Sequence, residues 1–251
     1  MAAAHIFVSP HLDDVVLSCG GLVARAAATA TTTVEVITVC AGQPREALTP
    51  LARQLHAAWG LDTEPVAARR DEDRRALALL AAQPRWFEEL DAVYRHPAYC
   101  TGPALFGPPH PDDDLAARLA RRLEAVVAAQ PEAHYYFPLG VGDHVDHRVT
   151  HQVGAKLAAR GVDVAFYEEL PYALTPGALG HRLELLGERL LPRLVDVAEV
   201  FALKLRAGLE YRSQIASLFR DAAGLELLLS AYAAGLAGGC HERLWTGRNF
   251  G

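Results

Sequence analysis

The sequence predicts a doubly wound α/β domain with a mostly parallel sheet and a C-terminal helical extension. Two observations carry this. Short β-rich apolar runs alternate with helix-spaced segments as far as about residue 170, and helical periodicity takes over beyond that point. No internal repeat or low-complexity linker interrupts the pattern, so 1–251 reads as one domain with a core at 1–170 and an extension at 171–251.

The run His5-Ile6-Phe7-Val8 is the first strand, and Asp14–Ala28, with apolar residues at Val15, Val16, Leu22 and Val23, is the first helix. Val34–Val39 follows as a second strand, so the opening segment is a βαβ unit with a right-handed crossover. A polar loop near Gly42–Pro50 leads into a helix at Leu51–Trp59 and a longer one from Ala67 to Leu80. A third strand is expected to start within Trp86–Leu90. Residues Arg95–Pro111 are dense in Pro and Gly, and Tyr94–Pro109, with Tyr99 and Phe106, is a candidate lid or apolar wall. The helix Leu115–Ala128, the strand His134–Phe137, a helix from about Asp146 to Ala159 and the strand Val162–Tyr167 complete the alternation. Helices at Phe201–Phe219 and near Leu225–Leu236 form the extension.

The chain has 251 residues, 51% of them hydrophobic, enough to bury a sizeable core. With 24 Lys+Arg against 30 Asp+Glu it presents no positive field for a nucleic-acid backbone. The N-terminus lacks the basic start and long apolar region of a signal peptide, and no stretch approaches the ~20 apolar residues that cross a bilayer. Cys19, Cys40, Cys100 and Cys240 form no CxxC pair, so a reducing, cytoplasmic setting is expected.

In open α/β sheets ligands sit at the C-terminal strand ends. Two such junctions carry metal-capable residues, Ser9–Asp14 after the first strand and Gly140–His147 after the strand near residue 137. His11, Asp14 and His147 would supply two imidazoles and a carboxylate, a common catalytic zinc set that leaves a position for water. Asp13 beside them is the candidate general base and acid. His144, if protonated, would stabilise an oxyanion, with Asp146 orienting its ring. That combination describes metal-assisted amide or ester hydrolysis. Each half has a plainer reading, since Asp13-Asp14 also suits a helix N-terminus.

The segment SPHLDDVVLSCGG, Ser9–Gly21, resembles the N-terminal metal motif of the PIG-L/LmbE-like zinc-dependent N-deacetylases, and Asp146-His147 resembles their second signature. The helix bearing Arg69, Glu72, Ala76 and Leu80 is similar to the family's Arg/Glu helix, and the segment with Lys204, Ala207, Tyr211 and Gln214 to a recurrent C-terminal one. The resemblance implies a Rossmann-like fold, zinc on His11, Asp14 and His147, Asp13 as base and acid, and His144 as partner of the carbonyl oxygen. It further implies release of acetate from a 2-acetamido sugar. The chain departs from the motif at Leu12, usually Pro, and at Val15, usually Glu, which removes a partner that would order the metal ligands.

Further candidates are weaker. Arg69, Tyr167 and Glu168 are candidate sugar-hydroxyl ligands, and His151, four residues after His147, is an alternative metal ligand. His110-Pro111-Asp112-Asp113 spells a metal-like motif but leads straight into a helix and reads as capping. Gly20 and Gly21 suit close helix packing, not a dinucleotide, and Cys19 reads as a buried small residue. The expected substrate is a small N-acetylglucosamine-containing glycoconjugate, such as an amino-sugar natural-product intermediate. Alternatives are a thiol-conjugate amidase on a glucosaminyl scaffold and a non-catalytic carbohydrate-binding protein.

Overall fold

The computed structural model describes residues 3–247 apart from 30, 46, 62, 63, 188 and 189. Seven strands form one sheet: β1 His5–Ser9, β2 Val34–Thr38, β3 Gln83–Trp86, β4 His134–Pro138, β5 Val164–Tyr167, β6 Leu191–Asp196 and β7 His241–Thr246. Their order is β3-β2-β1-β4-β5-β7-β6, parallel through β5, with β7 antiparallel to β5 and β6 antiparallel to β7. The helices are α1 Asp14–Ala27, α2 Pro50–Trp59, α3 Pro65–Leu79, α4 Ala92–Arg95, α5 Leu115–Ala129, α6 Val145–Ala159, α7 Ala178–Leu186, α8 Phe201–Gly208, α9 Arg212–Phe219 and α10 Ala222–Gly235.

The strands are apolar at consecutive positions because both faces of the sheet are covered. Ile6 and Val8 pack with Leu119 and Leu123 of α5 and Val153 of α6 on one face. Phe7, between them, packs with Val16 of α1, Leu77 of α3 and Ala207 of α8 on the other. Strand order reverses between β1 and β4, the two strands whose ends carry the metal-capable motifs, so the topology itself opens a crevice there.

Several expectations shift. The third strand lies at Gln83–Trp86, upstream of the expected start, at the sheet edge, where Pro84 is tolerated. The extension contains its helices but also returns two strands, β6 and β7, to the sheet. The expected single helix at Phe201–Phe219 is two, α8 and α9, because Tyr211 leaves helical geometry and its buried hydroxyl donates to Asp73 Oδ1 at 2.7 Å. Ser213 then places its N–H and hydroxyl on Glu72, at 2.9 and 2.6 Å. The helix bearing Glu72 and the C-terminal segment bearing Tyr211 are therefore packed on each other.

Gly21 is required for packing, as expected. A Cβ there would lie 2.8 Å from that of Val197, and the Gly21 and Leu22 N–H groups donate to the Glu242 carboxylate at 2.9 and 2.7 Å. Lys204 Nζ completes this buried cluster at 2.7 Å from Glu242 Oε1. Cys19 is buried, as expected.

Candidate active site

At the end of β1 the Ser9 hydroxyl donates to His11 O at 2.6 Å and accepts from the Val15 N–H at 3.2 Å, folding the chain into a tight turn before α1. Asp13 sits in that turn with φ of 148°, a conformation that L side chains rarely adopt and that concentrates at functional sites. Asp14 folds back so that Oδ2 accepts the His11 N–H at 2.8 Å. After β4, Gly140 and Gly142 (φ 86° each) turn the chain into α6; a Cβ on Gly142 would meet the Tyr172 ring at 2.7 Å.

These turns bring three donor atoms together. His11 Nδ1 and His147 Nε2 are 3.3 Å apart, and each is 3.4 Å from Asp14 Oδ2. Zinc–nitrogen and zinc–oxygen bonds of about 2.0–2.2 Å at tetrahedral angles separate ligand atoms by about 3.3–3.6 Å, so the triangle fits such an ion. Both rings are held from behind. His11 Nε2 donates to Asp146 Oδ2 at 3.0 Å, and His147 Nδ1 to Glu169 Oε1 at 3.2 Å, which aims the remaining nitrogens at the shared point. Asp146 is fully buried and also accepts from the Ala92 N–H at 2.9 Å and from Arg95 at 2.6 Å. Glu169 also accepts the Gly140 and Val141 N–H groups at 2.6 and 3.1 Å.

The field at this point favours positive charge. Burial opposes protonation of His11, yet Asp91, Asp14 and Asp146 hold its pKa well above the ordinary value. His147 is raised against burial by Asp14 and Glu169. Carboxylates that stabilise protons there stabilise a cation equally. Two wider groupings also lie within 4.8 Å, His11 with His144 and His147, and His11 with Asp91, His144 and Asp146. In the second, His11 Nε2 and the Asp146 carboxylate already satisfy each other, so the Asp14-centred triangle is the better cation site.

The paired aspartates are driven apart. Burial raises Asp13 to about 7 despite Arg69, whose NH2 is 3.6 Å from Oδ1. Burial acts on Asp14 too, but His147 and His11 outweigh it and hold Asp14 at about 2. One carboxylate is thus poised to exchange a proton near neutrality while its neighbour stays ionised.

His144 departs from expectation in two ways. Burial, with the adjacent His11, lowers its pKa to about 4, so it is neutral rather than cationic. Its Nδ1 accepts the Asp146 backbone N–H at 3.3 Å, which leaves the proton on Nε2 as a hydrogen-bond donor. The Asp146 side chain does not orient His144; it is turned toward His11 because α6 starts with His144 as N-cap and its first turn faces β1.

A cavity of about 280 Å³ contains His11, Asp13, Asp14, Arg69, Asp91 and His144. A larger one, about 600 Å³, lies between residues 43–49 and 88–97 and contains none of the converging atoms. Arg69 lines this cavity, its NH2 donating to Leu12 O at 3.2 Å and its guanidinium lying over Trp59. Tyr167 and Glu168 do not line it. The Tyr167 hydroxyl donates to Val8 O at 2.9 Å inside the core. Glu168 turns to the other side and is consumed by Tyr232, Arg243 and Trp245, tying α10 and β7 to the sheet. His151 is outside the cluster, with Nδ1 on Pro138 O at 3.0 Å and its ring against Phe166. Asp113 accepts the Leu115 N–H, as a capping residue should, and also grips Arg95 through both oxygens at 2.9 Å. Phe106 lines the cavity, but Tyr99 is buried beneath it with its hydroxyl on Asp113. Val15 is packed in the apolar core, and Asp146 and Glu169 supply the ring-ordering carboxylates. Asp91, Arg95 and Glu169 carry this support: Glu169 lies just past β5, while Asp91 and Arg95 cap and end the short helix α4 after β3, where no motif in the sequence marks them.

The structure is thus a Rossmann-like α/β sheet with a candidate His/Asp cation site at its topological switch point. The PIG-L family, described as GlcNAc-PI de-N-acetylase, matches residues 6–158, and the chain belongs to it. It is 32% identical over 247 residues to the 2'-N-acetylparomamine deacetylase of Niallia circulans, covering 88% of this chain and 84% of that one. Among solved structures it is similar to the zinc-inhibited form of a teicoplanin deacetylase, with a TM-score of 0.82, 28% identity and 97% of each chain covered. The A40926 pseudoaglycone deacetylase is similar with a TM-score of 0.78 and 30% identity, over 97% of this chain and 96% of that one. No described helix is long and apolar enough to cross a membrane.

Proposed function

We propose that the chain removes the acetyl group from an N-acetylated amino sugar carried on a small natural-product glycoconjugate, with zinc as its metal. The observation that carries this is the triangle of His11 Nδ1, Asp14 Oδ2 and His147 Nε2 with Asp13 beside it. His11, Asp14 and His147 would hold the ion. Zinc in such a set supplies a Lewis acid and an acidified water with a pKa of about 7.

The remaining chemistry belongs to the chain. Asp13, poised at about 7, accepts the proton of the attacking water and returns it to the departing sugar amine as the C–N bond breaks. His144 Nε2–H donates to the carbonyl oxygen as negative charge develops there. Acetate and a free amino sugar are the products. Asp146 and Glu169 hold the ligand rings, and Arg69, over Trp59, binds a sugar hydroxyl. The chain 1–251 acts as one deacetylase domain, in which β6 and β7 complete the sheet.

The test is acetate release from a panel of N-acetylglucosaminides, set beside analogues with a bulkier acyl group. Release from the acetyl compounds that is abolished in Asp13→Asn supports the reading. Release only from bulky-acyl compounds would make the chain an amidase of another kind, and binding without release in either set would make it a carbohydrate-binding protein.

A further inference from the structure

Beyond its polar floor, the active cavity has an apolar wall. Leu51, Leu55 and Trp59 recur every four residues on α2 and so share one face, which lines the cavity. Leu105 and Phe106 from the loop before α5, and Leu218 from α9, extend the same lining. The lining carboxylates are Asp13, Asp14 and Asp91, and all belong to the floor: Asp14 and Asp91 each have an oxygen 3.4 Å from a His11 ring nitrogen, and Asp13 adjoins Asp14. The remaining charge beside the wall is Arg69, a cation.

Phe106 is 46% exposed, yet its backbone is pinned. It forms a β-bridge with His144, Gly107 N–H donates to Asp143 O at 2.8 Å, and its ring meets His144 edge-on at 5.5 Å. An exposed aromatic ring on a fixed backbone loses little conformational entropy when a flat partner stacks on it. An ammonium group brought to the same wall would shed hydration, and the acceptors there other than the floor carboxylates, Gln214 and Ser217, are neutral and would offset that loss only in part.

From this we infer that the aglycone of the substrate is an uncharged, aromatic ring system rather than a polyamine, and that Phe106 with the α2 face selects it. The inference rests on the deacetylase reading, with the sugar's acetamido group at the floor and its aglycone directed outward.

Three N-acetylglucosaminides that differ only in aglycone separate the possibilities: methyl, naphthyl, and the cyclitol diamine of 2'-N-acetylparomamine. Dissociation constants are measured on Asp13→Asn, so that binding is read without turnover, and kcat/KM on the unsubstituted protein. Naphthyl is expected to exceed methyl by roughly tenfold in both, with the diamine weakest. Phe106→Ala and, independently, Leu55→Ser should pull the naphthyl-to-methyl ratio toward unity, while Phe106→Leu retains part of it. Equal binding of methyl and naphthyl, or tightest binding of the diamine, overturns the inference even if acetate is released. Tight naphthyl binding without acetate release from the unsubstituted protein upholds the wall's preference and overturns the deacetylase reading instead.

Discussion

His11 donates from Nε2 to Asp146 at 3.0 Å, and this bond decides where its other nitrogen points. Asp146 is itself locked by Arg95 and the Ala92 N–H, so a buried chain of contacts running from Asp113 through Arg95 and Asp146 ends on His11 Nε2, across the ring from the Nδ1 that faces Asp14 and His147. Asp146→Asn keeps the shape but removes the charge from both His11 and Arg95. Zinc affinity should fall by roughly tenfold to a hundredfold, read by competition with a chromophoric chelator. Unchanged affinity would mean that His11 is oriented by the turn alone.

Asp13→Asn should separate chemistry from metal binding. Acetate release is expected to drop by about 10²–10⁴ while the zinc content stays at that of the unsubstituted protein. Loss of metal in this variant would instead make Asp13 a ligand.

His144 is held neutral by burial with its donor hydrogen on Nε2, so the oxyanion role proposed for it does not require an imidazolium. His144→Ala should lower kcat by about 10²–10³ with little change in KM. A variant affected mainly in KM would place His144 in ground-state binding.

His151 is buried against Phe166 and lowered by burial and by Arg182 to about 3, from an ordinary 6.5. Between those values the unfolded chain binds a proton that the native chain refuses, so this group's contribution to stability is lost as pH falls through the window. The slope is at most about 1.4 kcal/mol per pH unit. His151→Gln, whose amide N–H can still reach Pro138 O, should flatten the dependence of the urea midpoint on pH across that range. Parallel curves for the two proteins would show that His151 titrates normally.

Lys204 and Glu242 form a buried ion pair that joins α8, β7 and the Gly21 turn of α1. Lys204→Met leaves Glu242 charged and only partly satisfied, and should destabilise by about 3–5 kcal/mol in urea unfolding. Adding Glu242→Gln should recover part of the loss, since it removes the stranded charge.

The parallel core was legible because its strands are apolar at consecutive positions and its helices keep their period, as in Ile6-Phe7-Val8 and the α5 leucines. The floor of the site was legible for a local reason: His11, Asp13 and Asp14 share one turn, and His144, Asp146 and His147 share one helix start. The strands β6 and β7 were hidden. Leu191-Pro192-Arg193 is an exposed edge, and in β7 a core position is filled by Glu242, whose burial makes sense only with Lys204 and the α1 turn in view. Side-chain direction was equally out of reach. Glu168 and Glu169 are adjacent after β5 and point to opposite sides, so the one singled out for substrate binds Arg243 and the other holds His147. Asp146 was recognised, but which of two histidines it serves depends on the angle at which α6 leaves His144.

The most direct measurement is acetate release from an N-acetylglucosaminide followed while chelated protein is titrated with zinc. Activity absent after chelation, returning in proportion to zinc and levelling off at a single equivalent per chain, is the predicted result. Full activity after chelation, with no metal bound, would contradict a reaction built on His11, Asp14 and His147.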